Sequence, residues 1–316
     1  VSGARLAVAG LVIAASWATA VALTVDEKDS GAGDRTALRP AVTPDRGTAP
    51  VRVNALAVRA ATGQTPVGLA LRRPPKAGLL FDVGSGRVLW QLHPHRRLPI
   101  ASLTKMMTAL LIAQRHRATE RVRITRQSLS YSGSGIGVLP LGKRVRLGAL
   151  LDGLLLVSGN DAAIALAQHD AGGQDAFIAR MNRDARRFGL RCSRFSSPSG
   201  IRDEGNHSCP LDLATLARMD LGSPWLRRIV GSRRIRLAFP VKGGVLDLFN
   251  INPFIAEGLP GITGVKTGLT NAAGRCYVIT ARRGGHELGV VLLNSPNPLS
   301  QVPRLLRAGA RAVQRG

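Results

Sequence analysis

The sequence predicts an α+β layered domain, an antiparallel sheet flanked by helices. Two observations carry the order of its layers. Short apolar strand patterns come first, helical patterns fill the middle, and strand patterns return late. The first and last strand pairs are each joined by a glycine-rich turn, the mark of an antiparallel hairpin. A third observation bounds the size: 316 residues at 45% hydrophobic content can fill the core of one or two domains.

The N-terminus stands apart. Arg5 is followed by no charge until Asp26, and the twenty residues Leu6 to Val25 could span a bilayer. Ala18-Thr19-Ala20 offers a small-residue cleavage site. Residues 1–25 are expected to be an export signal, cleaved or kept as a membrane anchor. Residues 26–76 are rich in Gly, Pro, Thr, Asp and Arg, with Pro40, Pro44, Pro50, Pro66, Pro74 and Pro75 among them. They read as a disordered linker. The globular part is expected over 77–316.

Within it, Leu79-Leu80-Phe81-Asp82 and Arg87-Val88-Leu89-Trp90 flank Val83-Gly84-Ser85-Gly86, a hairpin. Apolar residues at helical spacing start near Ser102 and run to about Gln114. Further helical patterns cover Leu147 to Leu156, Asn160 to about His169, an Arg-rich amphipathic stretch at 174–188, and Leu211 to Met219. Arg233 to Phe239 and Val245 to Asn250 read as short strands. Cys276 to Ala281 and Leu288 to Leu293 form a hairpin around Arg282-Arg283-Gly284-Gly285-His286-Glu287. A basic helix at 302–314 closes the chain. The early hairpin is expected to join the late strands in one sheet.

Composition excludes several classes. An apolar fraction this high is not that of a wholly disordered chain. One long uncharged run is too few for a polytopic membrane protein. Three cysteines are too few for a disulfide scaffold. Export would place the chain where disulfides persist, so Cys192 and Cys209, 17 apart, are expected to pair. Cys276 sits among apolar residues as a small buried hydrophobe. No CxxC or HExxH spacing occurs, and His93-Pro94-His95 is weak by itself, so no metal and no cofactor are expected. The 44 Lys+Arg against 19 Asp+Glu give +25, which calls for an anionic partner. Only six of the basic residues are Lys, so a Lys where Arg would serve is informative.

Three segments carry the chemistry: Ser102-Leu103-Thr104-Lys105, Ser158-Gly159-Asn160 and Lys266-Thr267-Gly268. They read S-x-x-K, S-x-N and K-T-G in that order. Residues i and i+3 share a helix face, so Lys105 can set its amine beside the Ser102 hydroxyl. A serine needs a base within hydrogen-bond reach to attack an amide. Free N–H groups at a helix N-terminus can hold an oxyanion and depress the pKa of the amine. A second cation, Lys266, would push Lys105 towards its neutral form. Gly268 would let a substrate backbone approach the strand edge as an added strand. Lys266 and Thr267 would suit a terminal carboxylate.

The trio resembles that of penicillin-binding proteins and class A β-lactamases. The wider pattern is similar to the low-molecular-weight D-alanyl-D-alanine carboxypeptidases, serine peptidase family S11. Ala101 to Thr108, Leu154 to Ala162, Met181-Asn182 with Phe188-Gly189-Leu190, Phe195 and Ser197-Pro198-Ser199-Gly200, and Gly264 to Thr270 with Ala273-Gly274 carry the likeness. It implies a β-lactamase/transpeptidase-like fold. It implies that Ser102 forms an acyl-enzyme, Lys105 takes its proton, Ser158 relays a proton to the leaving D-alanine, and Asn160 holds the substrate backbone. Lys266, Thr267, Gly268 and Leu269 would bind substrate, with the Ser102 and Leu269 N–H groups as the oxyanion hole. Leu269 departs from the aromatic or His of many relatives. The implied partners are peptidoglycan D-Ala-D-Ala stem peptides, and β-lactams as covalent inhibitors. The N-terminal segment would take the place of the C-terminal anchor that many relatives carry.

Two other functions compete. A class A-like β-lactamase needs a further Glu to activate water, and only Glu204 and Glu257 lie between the second and third blocks. A catalytically silent wall-binding scaffold would not need the intact motifs. Nucleic acid is set aside because export and the lack of aromatic stacking platforms oppose it. The basic surface of an exported domain instead suits anionic membrane headgroups or wall polymers.

Overall fold

The computed structural model describes residues 53–315. The expected signal or anchor (1–25) and the first part of the expected linker lie outside the described residues. Among the described residues no helix is long and apolar enough to cross a membrane.

The architecture is the expected α+β one. Five antiparallel strands lie in the order Val88–Leu92, Ala77–Asp82, His286–Leu293, Gly274–Arg283, Ile262–Thr270. The early hairpin and the late strands therefore share one sheet. Side chains alternate across a strand, and both faces are covered. Leu80, Val290 and Leu292 pack on one face beneath Val302, Leu305 and Leu306 of the helix Pro298–Val313. Leu79, Phe81, Val291 and Leu293 face the other way, into the main core. That core is built by the helices Thr104–Arg115, Leu147–Leu156, Asn160–Ala171, Gln174–Arg187 and Pro210–Gly222.

Four features differ from the expectation. First, the linker is shorter than 26–76. Val58 and Val67 are buried, the Val58 N–H donates to Thr215 Oγ1 at 3.0 Å, and Trp90 Nε1–H donates to the Leu69 carbonyl at 3.1 Å. Arg218, buried in the helix Pro210–Gly222, ties this stretch to the hairpin turn. It donates to the carbonyls of Leu56, Val83 and Gly84, each at 2.7 Å. A proline-rich composition does not reveal such a clamp. Second, the strands Arg234–Ala238 and Val245–Phe249 pair only with each other, outside the central sheet. Third, a helix at Pro224–Gly231 follows directly on the preceding one. Its start is set by Pro224 and by the Ser223 hydroxyl, which accepts from the Leu226 N–H. Fourth, an edge strand, Ile262–Thr270, runs through Lys266-Thr267-Gly268, whereas the apolar patterns mark the late strands only from Cys276 onward. Two glycines weaken its β-propensity, and pairing with Gly274–Arg283 overrides that.

Cys192 and Cys209 form a disulfide with Cα atoms 5.5 Å apart. Cys276 is a buried free thiol, and burial pushes its pKa up to about 12. A thiol held that far from ionisation is inert at neutral pH.

Asp220 carries a stability prediction. Its carboxyl is buried, Oδ1 has no hydrogen-bond partner, and burial raises its pKa well above the ordinary value. The native state thus keeps a proton that the unfolded chain releases near pH 3.9. Above that pH the native state binds more protons than the unfolded one, so stability falls as pH rises towards the native pKa. Asp220→Asn should raise the melting temperature by a few degrees more at pH 8 than at pH 4. Thermal unfolding at the two pH values checks this, and an equal shift at both would refute the assignment.

Candidate active site

Ser102 lies in a single 3₁₀ turn, Ala101–Leu103, that leads into the helix Thr104–Arg115. Ala101 bends the chain there with φ +48°. One helical turn on, Lys105 is fully buried, and its Nζ stands 3.0 Å from Ser102 Oγ. Two further partners close around it, Asn160 Oδ1 at 2.7 Å and the Ser199 carbonyl at 2.8 Å. Both are carbonyl oxygens and only accept. A neutral amine gives its two N–H bonds to them and turns its lone pair to the serine hydroxyl.

The environment favours that neutral form. Burial lowers the Lys105 pKa well below the usual lysine value, and the charge of Lys266 lowers it further, against an opposing pull from Asp161. Lys266 was the depressing influence expected from sequence. It acts as expected, but burial is the larger cause. Lys266 is itself buried, with a pKa lowered to about 7 by desolvation, and its Nζ donates to the Thr267 carbonyl at 2.9 Å.

Asn160 opens the helix Asn160–Ala171. Its Nδ2–H donates to the Ser132 carbonyl at 2.6 Å and its backbone N–H to the Ser134 carbonyl at 2.8 Å. Ser158 sits two residues earlier at φ +60°, an uncommon place for a residue with a Cβ. Its hydroxyl is buried and has no hydrogen-bond partner. A residue at sparsely populated φ with an orphaned buried hydroxyl, two positions before Asn160, is the kind of local strain that clusters at functional sites.

The edge strand completes the site. A Cβ on Gly268 would stand 2.9 Å from the Ser102 N atom and 3.0 Å from the Ile100 carbonyl. The glycine is therefore needed for the strand to meet the turn that carries Ser102, a closer constraint than the approach of substrate expected from sequence. Thr267 is half-buried, and the Leu269 side chain is 62% exposed.

Thus Ser102, Lys105 and Asn160 are joined by direct hydrogen bonds, and Gly268 abuts their turn. Sequence reasoning gave no role to Ser199, Gly200 or Asp161, although all three lie in the stretches that carry the family likeness. Ser199 supplies the carbonyl on Lys105. Asp161 is buried and accepts from the backbone N–H groups of Ile136, Gly137 and Ala162, which fixes the loop beside Asn160. A carbonyl contact of this kind leaves no side-chain signal in a sequence.

A family model described as D-alanyl-D-alanine carboxypeptidase matches residues 72–297. The chain is 30% identical over 244 residues to a D-alanyl-D-alanine carboxypeptidase of Bacillus subtilis, DacF, covering 75% of this chain and 62% of that protein. It is 33% identical over 222 residues to a D-alanyl-D-alanine carboxypeptidase of Mycobacterium tuberculosis, covering 70% and 75%. Among solved structures it is similar to the Streptomyces K15 DD-transpeptidase, with TM-score 0.71, 28% identity, and 76% of this chain and 98% of that one covered. The chain spans less than two thirds of the Bacillus subtilis relative's length.

Proposed function

The chain belongs to the D-alanyl-D-alanine carboxypeptidase family of serine peptidases, and from that premise we propose that it removes the terminal D-alanine from peptidoglycan stem peptides. The observation that carries this reading is the buried Lys105 amine 3.0 Å from the Ser102 hydroxyl. Ser102 Oγ attacks the D-Ala-D-Ala carbonyl as Lys105 takes its proton. The N–H groups of Ser102 and Leu269 hold the oxyanion, and such a donor is worth about 3–4 kcal/mol of barrier. Ser158 passes a proton to the departing amine, and free D-alanine leaves. Asn160 holds the substrate backbone. Lys266 and Thr267 receive the terminal carboxylate, and the open edge of Ile262–Thr270 pairs with the peptide. Water then hydrolyses the ester. β-Lactams acylate the same oxygen.

Glu204 and Glu257 are both exposed, and neither is hydrogen-bonded to the serine–lysine cluster. A water-activating glutamate of the class A β-lactamase kind has no candidate among them. The same proposal places the chain outside the cytoplasm, where its substrate lies, through the apolar run Leu6 to Val25. Its basic surface would meet anionic headgroups or wall polymers there.

The test is twofold. Benzylpenicillin should leave a lasting adduct on the tryptic peptide that holds Ser102. Diacetyl-Lys-D-Ala-D-Ala should yield D-alanine. Rapid penicillin turnover without an adduct would point to a β-lactamase, and no release with no adduct to a scaffold.

Lys266 adds a pH dependence. The free-enzyme pKa is about 7, and only the cationic form attracts a carboxylate. Deprotonation above that value removes the attraction, so kcat/KM for the anionic peptide should fall on the alkaline side with a midpoint near 7. Lys266→Arg keeps its charge and should lose this limb. An unchanged limb in that variant would assign it to another group.

A further inference from the structure

At the far end of the two helices that hold the catalytic cluster, side chains converge that the reaction does not use. His116 ends the helix Thr104–Arg115, and His169 lies in the last turn of Asn160–Ala171. Glu120 sits between them. Its Oε2 is 2.9 Å from His116 Nδ1 and 3.0 Å from His169 Nε2. The twelve-residue helix places this cluster about 18 Å from Ser102 at 1.5 Å per residue.

We propose that His116 Nδ1, His169 Nε2 and Glu120 Oε2 form a divalent zinc site that clamps the C-terminal ends of these helices. Three facts carry it. The donor atoms of the three residues lie within 4.8 Å of one another. Ligands of tetrahedral zinc, at bonds of about 2.0–2.1 Å, stand about 3.3 Å apart, close to the spacing from Oε2 to each ring. Second, the outer partner of a ligating histidine is in place. His116 Nε2 lies 2.9 Å from Oδ1 of the buried Asp170, whose carboxylate also binds Arg180. A carboxylate on the far nitrogen fixes the tautomer that leaves Nδ1 free for a metal. Third, both nitrogens of the His116 ring face carboxylate oxygens. The ring satisfies both only with two protons, or with one proton and a cation. The other Glu120 oxygen is already held by the Arg117 N–H at 2.8 Å, so Oε2 is the one offered. Motif spacing could not reveal this site, because its third ligand comes 49 residues after the second.

The test uses untagged protein cleared of metal by chelation. Zinc alone, titrated calorimetrically, should bind at one equivalent and raise the melting temperature by several degrees. Cobalt(II) should give the visible bands of a tetrahedral site. His169→Gln and Glu120→Gln should each abolish binding at the same concentrations while leaving penicillin acylation unchanged. His169 touches only Glu120 among side-chain hydrogen bonds, so its variant should fold even if His116→Ala does not. No zinc binding by the wild type, or equal binding by His169→Gln, would overturn the proposal.

Discussion

Replacing Lys105 by arginine should cut the acylation rate by penicillin roughly 10²–10⁴-fold, the usual worth of a positioned general base. The reason is in the hydrogen bonds. Asn160 Oδ1 and the Ser199 carbonyl take the two N–H bonds of a neutral amine at 2.7 and 2.8 Å, and the lone pair is left for Ser102. A guanidinium stays protonated and has no such lone pair. It also brings a larger fork into a fully enclosed space. Stopped-flow acylation measures the loss, and thermal unfolding separates lost chemistry from lost fold. A second variant, Lys105→Gln, removes the base without putting a fixed charge in its place. If both variants fold and both are inactive, the base is the missing element. Acylation by a folded Lys105→Arg at more than a tenth of the wild-type rate would assign the proton transfer to another residue.

That prediction rests on a site largely legible in the sequence. The i, i+3 relation of Ser102 and Lys105 follows from helical spacing alone, and the structure needs only a 3₁₀ turn ahead of the helix to realise it. The layer order was legible too, because Leu79 to Phe81 and Leu288 to Leu293 are apolar on both faces and so require cover on both sides. What stayed hidden is what long-range packing supplies. The depth of Lys105 sets its pKa more than the charge of Lys266 does, and depth has no local signature. The strand Ile262–Thr270 is held by its register against Gly274–Arg283 and not by its own propensity. Residues 55–76 look like a tether because much of what holds them is backbone hydrogen bonding, the Leu56 carbonyl to Arg218, the Val58 N–H to Thr215 and the Leu69 carbonyl to Trp90. The histidine–glutamate cluster escaped notice because its members meet only when two helices align.

The same reasoning gives the second large effect, at Gly200. This residue has φ +79°, and a Cβ there would stand 2.0 Å from the Ala101 carbonyl oxygen and 2.6 Å from Thr104 Oγ1. Neither neighbour can yield cheaply. The Ala101 oxygen already accepts from Thr104 Oγ1 at 2.9 Å, and Ala101 is itself held at positive φ just ahead of Ser102. Gly200→Ala must therefore push the nucleophile turn away or lift the Ser199 carbonyl from Lys105. Displacement of a reacting group by about 1 Å can cost 10²-fold in rate, so acylation should fall by roughly that factor. Gly205 in the same loop supplies the control. Its φ is +69°, but the nearest atom to a Cβ there is Ser196 Cβ at 3.6 Å. Gly205→Ala carries the backbone strain of about 1 kcal/mol without the collision, and should lower the melting temperature while leaving acylation intact. If the two alanine variants lost acylation equally, loop strain alone would explain the effect. If neither lost it, the contact between Gly200 and Ala101 would have no part in placing Ser102.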